Sequence, residues 1–416
     1  MTNKFSFLVR SVVSAALLAT SIAALAATPT EQNAIVQAGT GGPEALTYKK
    51  VPVLKPGEGQ VLVKIYAAAI NPVDWKGRSG IVGVTRPAGA PAGEGQPTVT
   101  APTPENTKIP GSDVAGVIEQ LGPGVTQFKV GDAVFASVGG GRGTVGVLNG
   151  GYSEYALASV GSVIAKPKTM TFAQASGLGT ATGTGAGAVT RGDVKAGQRV
   201  LIGGAAGGVG SAATQMAVAR GAHVIAIASG KHEKYLKSLG VAEVIDYTKV
   251  PNWEDQVKNV DVAIDTVSAE NATKAIKTLK KGGKLVSIVG RIDTAVCTAA
   301  GVDCGSNQMA GMPGGGAPGG QGGAPGAGGA PQGAPGGAPG AAPGGAGGQG
   351  GMGAGGGGGG NNLTEVVQMA NAGKFVINVD ATFPLAKAYE AQEENRNGGT
   401  QGKIVLIVDA ANANKK

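Results

Sequence analysis

The chain has 416 residues, long enough for two domains of ordinary size. Apolar residues make up 42%, charged residues 15% and aromatics 4%, which supplies a packed core and excludes a wholly disordered chain. The formal net charge of +8 is spread along the sequence, and no basic run is interleaved with aromatics, so a dedicated nucleic-acid surface is excluded.

The first 26 residues read as a secretory signal peptide. Lys4 and Arg10 precede an apolar run at 11–26 that is short for a membrane span, and Ala24-Leu25-Ala26 gives the small-x-small pattern of a cleavage site. Export to the periplasm or the exterior is therefore expected, with no membrane span in the mature chain. Two Cys and two His lack zinc-finger spacing, and no metal is expected. Cys297 and Cys304 enclose six residues; in an exported chain they suit a small disulfide, otherwise two structural thiols. His223 leads into a strand and His232 starts a helix, so both read as structural.

Taken in chain order, residues 44–165 read as short strands, such as 61–66 and 114–118, punctuated by turns at Gly122-Pro123-Gly124 and Gly131-Asp132. Residues 81–108, rich in Pro, Ala and Thr, interrupt them as a surface loop. From 199 to 290 apolar strands at 200–202, 224–228, 244–246, 262–267 and 285–289 alternate with helical segments at 211–220, 232–239 and 271–281. Continuous apolar strands alternating with helices predict a parallel sheet buried on both faces. Residues 311–360 contain 28 Gly, 7 Pro, 10 Ala and no charge; such a segment cannot repay the entropy of ordering and is expected to be a disordered spacer. Beyond it, helices at 363–370 and 384–394 and a strand at 403–408 resume the fold.

The strand at 200–202 runs into Gly203-Gly204-Ala205-Ala206-Gly207-Gly208-Val209-Gly210 and then a helix. Gly204, Gly207 and Gly210 carry the G-x-x-G-x-x-G spacing of a dinucleotide turn. Early glycines permit the turn and the close approach of a diphosphate, Gly210 lets helix and strand pack, and the helix start offers free N–H groups. The next strand ends in Ala228-Ser229-Gly230-Lys231, without the carboxylate that reads an unphosphorylated ribose. A hydroxyl and an ammonium there suit a 2′-phosphate, so NADPH is favoured over NADH.

At this point the sequence resembles the zinc-independent, quinone oxidoreductase-like branch of the medium-chain dehydrogenase/reductase superfamily. The resemblance rests on Asn71-Pro72-Val73-Asp74-Trp75-Lys76, Gly111-Ser112-Asp113-Val114-Ala115-Gly116-Val117, Phe128-Lys129-Val130-Gly131-Asp132-Ala133-Val134 and Gly151-Tyr152-Ser153-Glu154-Tyr155. The Gly-rich turn, Val244-Ile245-Asp246-Tyr247, Lys281-Gly282-Gly283 and Gly402-Lys403-Ile404-Val405-Leu406 follow in family order.

The resemblance implies an α/β chain with a GroES-like, β-rich catalytic domain at 27–165 completed by 375–416. A doubly wound Rossmann domain for NADP would occupy 166–305, with the Gly/Pro-rich insertion at 306–361 and a return helix in 362–416. It places Asn71 near the nicotinamide ribose and Tyr152 either in the cleft or in the core, and makes both candidate catalytic groups. Gly204, Gly207, Gly208, Val209, Gly210 and Thr184 would hold the dinucleotide, with Ser229, Lys231 and Tyr247 around the 2′-phosphate; Trp75 is packing. The positions where zinc alcohol dehydrogenases carry Cys and His are Asn71 and Ser112, so no metal is implied. The implied activity is reduction of quinones or enones by hydride from NADPH. Departures are Gly183-Thr184-Gly185-Ala186, which lacks the family's bulky wall, and the stretch after residue 290, which puts the family's homodimer in doubt. A non-catalytic exported protein that binds or adheres through its Gly-rich segment is the alternative function.

Overall fold

In the computed structural model, residues 28–81, 107–139, 148–289, 292–304 and 359–416 are described. The signal-peptide expectation, most of the 81–108 loop and nearly all of the 306–361 insertion lie outside them.

The first half runs β1 (Glu31–Ala38), β2 (Leu46–Pro52), β3 (Gln60–Ala69), α1 (Pro72–Arg78), β4 (Thr107–Lys108), β5 (Asp113–Leu121), β6 (Ala133–Ser137), β7 (Tyr155–Ser159) and β8 (Val163–Ala165). The second half continues α2 (Phe172–Ser176), a π turn (Leu178–Thr182), α3 (Gly183–Arg191), β9 (Arg199–Gly203), α4 (Gly208–Ala219), β10 (His223–Ala228) and α5 (Glu233–Ser238). It closes with β11 (Glu243–Asp246), β12 (Val260–Asp265), α6 (Ala269–Ile276), β13 (Leu279–Ser287), α7 (Thr294–Ala300), α8 (Gly359–Asn371), β14 (Val379–Pro384), α9 (Ala388–Asn397) and β15 (Lys403–Ile407).

The apolar runs of the second half form the expected sheet, all parallel, in the order β11-β10-β9-β12-β13. Strand order reverses direction at β9, so the crevice beyond its carboxyl end is a topological switch point, where doubly wound sheets bind ligands. Helices cover both faces: Val200 and Ile202 point into one core with Ala213 and Met216, and Leu201 into another with Ala272 and Ile276. The β-rich half is a seven-stranded sheet, β14-β15-β3-β5-β6-β8 with β7 also on β3, beside the smaller sheet β2-β1-β4. Distant parts of the sequence meet here, because β15 pairs antiparallel with the end of β3, Val405 opposite Ala69. This is the GroES-like plus Rossmann architecture.

Two expectations need correction. The helix over 271–281 stops at Ile276, and residues 279–281 open β13 instead. The sheet overrides their polar character because Gly282 takes a left-handed φ of +74° and the pairing with β12 shifts register between Val260 and Val262. Residues 379–384 form β14, paired with β15, so the helix expected from 384 begins only at Ala388.

Cys297 and Cys304 form a disulfide. Just inside it, Asp303 pairs with the edge strand: its N–H donates to the Gly283 carbonyl at 2.8 Å and its carbonyl accepts from Leu285. Closing so short a loop should contribute about 2.5 kcal/mol. The Cys297→Ala/Cys304→Ala chain is expected to lose that much in urea unfolding; an unchanged midpoint would show that the sheet edge alone holds the stub.

Candidate active site

The dinucleotide turn starts where β9 ends at the switch point. Gly204 has φ +69°, and a Cβ there would press on Thr266 Oγ1 and Val267. A Cβ at Gly210 would collide with the Gly204 carbonyl oxygen. These two glycines are demanded by the turn itself. Gly207 is different: its φ is −72° and ψ 175°, it is the N-cap of α4, and the nearest atom to an added Cβ is the Gly204 carbonyl oxygen 3.6 Å away. Nothing inside the fold requires glycine at 207, since an added Cβ would meet only ordinary van der Waals contact. Gly207, Gly208 and Val209 are partly exposed at the head of α4, whose first amides have no partner within the helix. Thr184 is half-buried in the first turn of α3, and Gly185 beside it lets α3 close on Val209 and Ala213 of α4.

The carboxyl ends of β10 and β11 bring the other cofactor candidates together. Ala228 stands opposite Asp246, and the Tyr247 N–H donates to the Ala228 carbonyl at 3.3 Å. Ser229 is half-buried, whereas Lys231 and Tyr247 are exposed. Sequence reasoning missed Asp246. Its carboxylate accepts from Thr248 N at 3.0 Å and Thr248 Oγ1 at 2.6 Å, bonds that hold it below the usual aspartate range. It also lies against Gly230, leaving no room for a side chain there. Its spacing after the β11 apolar run was visible, but its contact across to Gly230 was not.

Asn71 lies on the other side, at the N-cap of α1. It is 2% exposed and therefore backs the cleft rather than lining it. Its backbone N–H donates to Asp74 Oδ2 at 2.8 Å, its Nδ2 to Asp113 Oδ2 at 2.9 Å, and its Oδ1 accepts from Lys403 Nζ at 2.7 Å. Asp113 also accepts from Thr180 N at 2.8 Å and Thr180 Oγ1 at 2.9 Å, in the π turn that leads to α3. Tyr152 resolves toward the core: its side chain is fully buried, its ring fills the space opposite Gly111, and its hydroxyl donates to Asp74 Oδ2 at 2.7 Å. Burial first, and then the Asp74 charge, raises that phenol well above its ordinary value. Tyr152 thus offers no cleft hydroxyl; it orients Asp74.

Burial pushes the Asp74 carboxyl up from 3.8 to about 6. The folded chain therefore binds this proton more tightly than the unfolded one, and the stability linked to it is full below about pH 4 and lost as pH rises to about 6. That rise corresponds to at most about 3 kcal/mol. Asp74→Asn, which keeps an acceptor oxygen and leaves the Lys403–Asp113 charges balanced, is expected to exceed the parent in stability at pH 8 by about 1–3 kcal/mol. The gain should vanish near pH 4. Urea midpoints across that range check it, and a pH-independent difference would contradict it.

Comparison with known proteins fits this geometry. The alcohol dehydrogenase GroES-like domain matches residues 57–168, and the zinc-binding dehydrogenase family matches 208–303 and 328–406. The NADPH-dependent alkenal/one oxidoreductase of Arabidopsis thaliana chloroplasts is 35% identical over 279 residues, covering 66% of this chain and 67% of that protein. The human quinone oxidoreductase is 34% identical over 260 residues, 60% of this chain and 71% of that one. Among solved structures, the quinone oxidoreductase of Coxiella burnetii superposes with a TM-score of 0.65 at 25% identity, covering 91% of this chain and 99% of its own. With the doubly wound sheet, the glycine turn and the β-rich half closed by its own carboxyl end, the chain belongs to the medium-chain dehydrogenase/reductase superfamily, on its quinone oxidoreductase-like branch.

Proposed function

We propose that the chain is an exported, zinc-independent oxidoreductase that reduces quinones or α,β-unsaturated carbonyls with NADPH. The observation that carries this reading is Gly207: the fold leaves it free to be any residue, yet the residue present is the one that keeps the head of α4 open to a diphosphate. The amides of 207–209 and the positive end of α4 would hold that diphosphate. Ser229, Lys231 and Tyr247 would hold a 2′-phosphate through a hydroxyl, an ammonium and a phenol. NADPH supplies the hydride when bound.

The chain's own contribution is placement. Asp113 and Lys403 fix the Asn71 amide from both ends, Tyr152 and Asp74 fix the backbone that carries it, and the exposed Pro72 and Val73 follow at the surface. Holding reactants in one geometry is a large part of the barrier such enzymes remove.

A zinc ion does not suit this donor set. Asn71 Oδ1 already faces an ammonium, Ser112 Oγ turns toward Asp113 at 3.4 Å, and a second cation there would be repelled. The relatives named above reduce quinones or alkenals and alkenones by name, which supports the substrate class. The Cys297–Cys304 disulfide supports export, since such bonds persist in oxidising compartments; among the described residues no helix is long and apolar enough to cross a membrane.

The test is titration of the purified chain with NADPH and NADH, followed by oxidation of the bound form with a quinone and an enone. Tight NADPH binding with turnover of either acceptor is expected. Absence of binding to both coenzymes overturns the reading.

A further inference from the structure

Lys403 is where the two halves of the site touch. The residue is 4% exposed, and its ammonium donates to the Ile70 carbonyl at 2.6 Å and to Asn71 Oδ1 at 2.7 Å. Its stem lies on the head of α4: a Cβ added at Gly208 would stand 2.8 Å from Lys403 Cδ. The residue before it, Gly402, bridges to Gly207 and donates its N–H to the Ala206 carbonyl at 2.8 Å. One dipeptide thus joins the dinucleotide turn to the Asn71 side chain.

The chemistry of this placement is informative. Burying an ammonium costs far more than burying an apolar side chain of the same volume, so stability alone does not favour lysine here. Burial accordingly pulls this ammonium below the usual lysine range, against the opposing pull of Asp113 and Asp74. Among the described residues no carboxylate oxygen lies within 4 Å of its Nζ, since the ion pairs found there do not include it. Two of its donors are spent instead on neutral oxygens of adjacent residues, Ile70 and Asn71. Those bonds orient a segment rather than neutralise a charge.

We propose that Lys403 is a positioning residue: it locks the Asn71 amide in register with the dinucleotide turn, so that the rate of the bound complex, and not coenzyme affinity, depends on it. This rests on the function proposed above. Lys403 is distinct from a coenzyme contact, because its ammonium points away from the turn and into the Asn71 segment.

The test compares Lys403→Met and Lys403→Arg with the parent chain. Lys403→Met is expected to lower kcat on the order of 100-fold, the cost of about 1 Å of misplacement, with the NADPH Kd unchanged. Lys403→Arg keeps the charge, so it remains folded even if the methionine variant does not. Its planar fork fits two adjacent acceptors less well than a compact ammonium, and a loss of about tenfold is expected. In the coenzyme-free chain labelled with 15N-asparagine, the side-chain NH2 resonance that disappears in Asn71→Asp should shift in both variants. The inference is overturned by an unmoved resonance, by unchanged kcat in both variants, or by weakened NADPH binding with kcat at saturation preserved. Failure of the parent reading shows separately, as a wild-type chain that neither binds nor oxidises NADPH.

Discussion

Gly207→Asp is expected to fold normally and to lose at least about 100-fold in NADPH affinity, or roughly 2.7 kcal/mol. The two halves of this expectation have different physical origins. Residue 207 is the N-cap of α4 with extended backbone angles that any residue adopts, and a Cβ there has room. Aspartate is among the best N-caps, accepting from the free amides of the first turn, so against glycine α4 should gain a few tenths of a kcal/mol. The same carboxylate occupies the amides intended for a diphosphate and repels its charge. Thermal unfolding and a fluorescence titration read the two effects separately. A variant that keeps its affinity would remove the diphosphate site from the head of α4. Substitution at Gly210, by contrast, would collide with the Gly204 carbonyl and could not separate folding from binding.

Lys231→Glu carries the second large effect. Lys231 is exposed, next to the half-buried Ser229, on a turn whose middle residue Gly230 is pinned by Asp246. The substitution should therefore leave the turn in place and reverse only the charge it presents. Removing a charge-assisted bond and adding a like charge should lower kcat/KM with NADPH about 100-fold, while NADH is used as well or better. The ratio of the two specificity constants is the readout. A ratio equal to the parent's would detach Lys231 from coenzyme choice.

What could be read in advance follows from how local each determinant is. β9, β10 and β11 were visible because each carries an apolar run, and they fall within a residue of the expected positions. The glycine turn was visible because its spacing is the mechanism. The start of β13 was not, since Lys280, Lys281, Gly282 and Gly283 read as a helix end, and only the bulge against β12 makes them strand. The polar cluster around Asn71 was the least legible part. Asp113 is 42 residues from it and Lys403 is 332 residues away, and no periodicity connects them. For Tyr152 the deciding fact was Gly111, whose missing side chain admits the tyrosine ring into the core; the sequence showed both residues without showing that they face each other.

The position of β15 has a consequence for biosynthesis. This strand sits between β14 and β3, and the residue before it backs the glycine turn. β3 and the glycine turn are translated long before it is. A growing polypeptide on the ribosome therefore carries a gapped β-rich sheet and a half-walled crevice beside the glycine turn until β15 emerges.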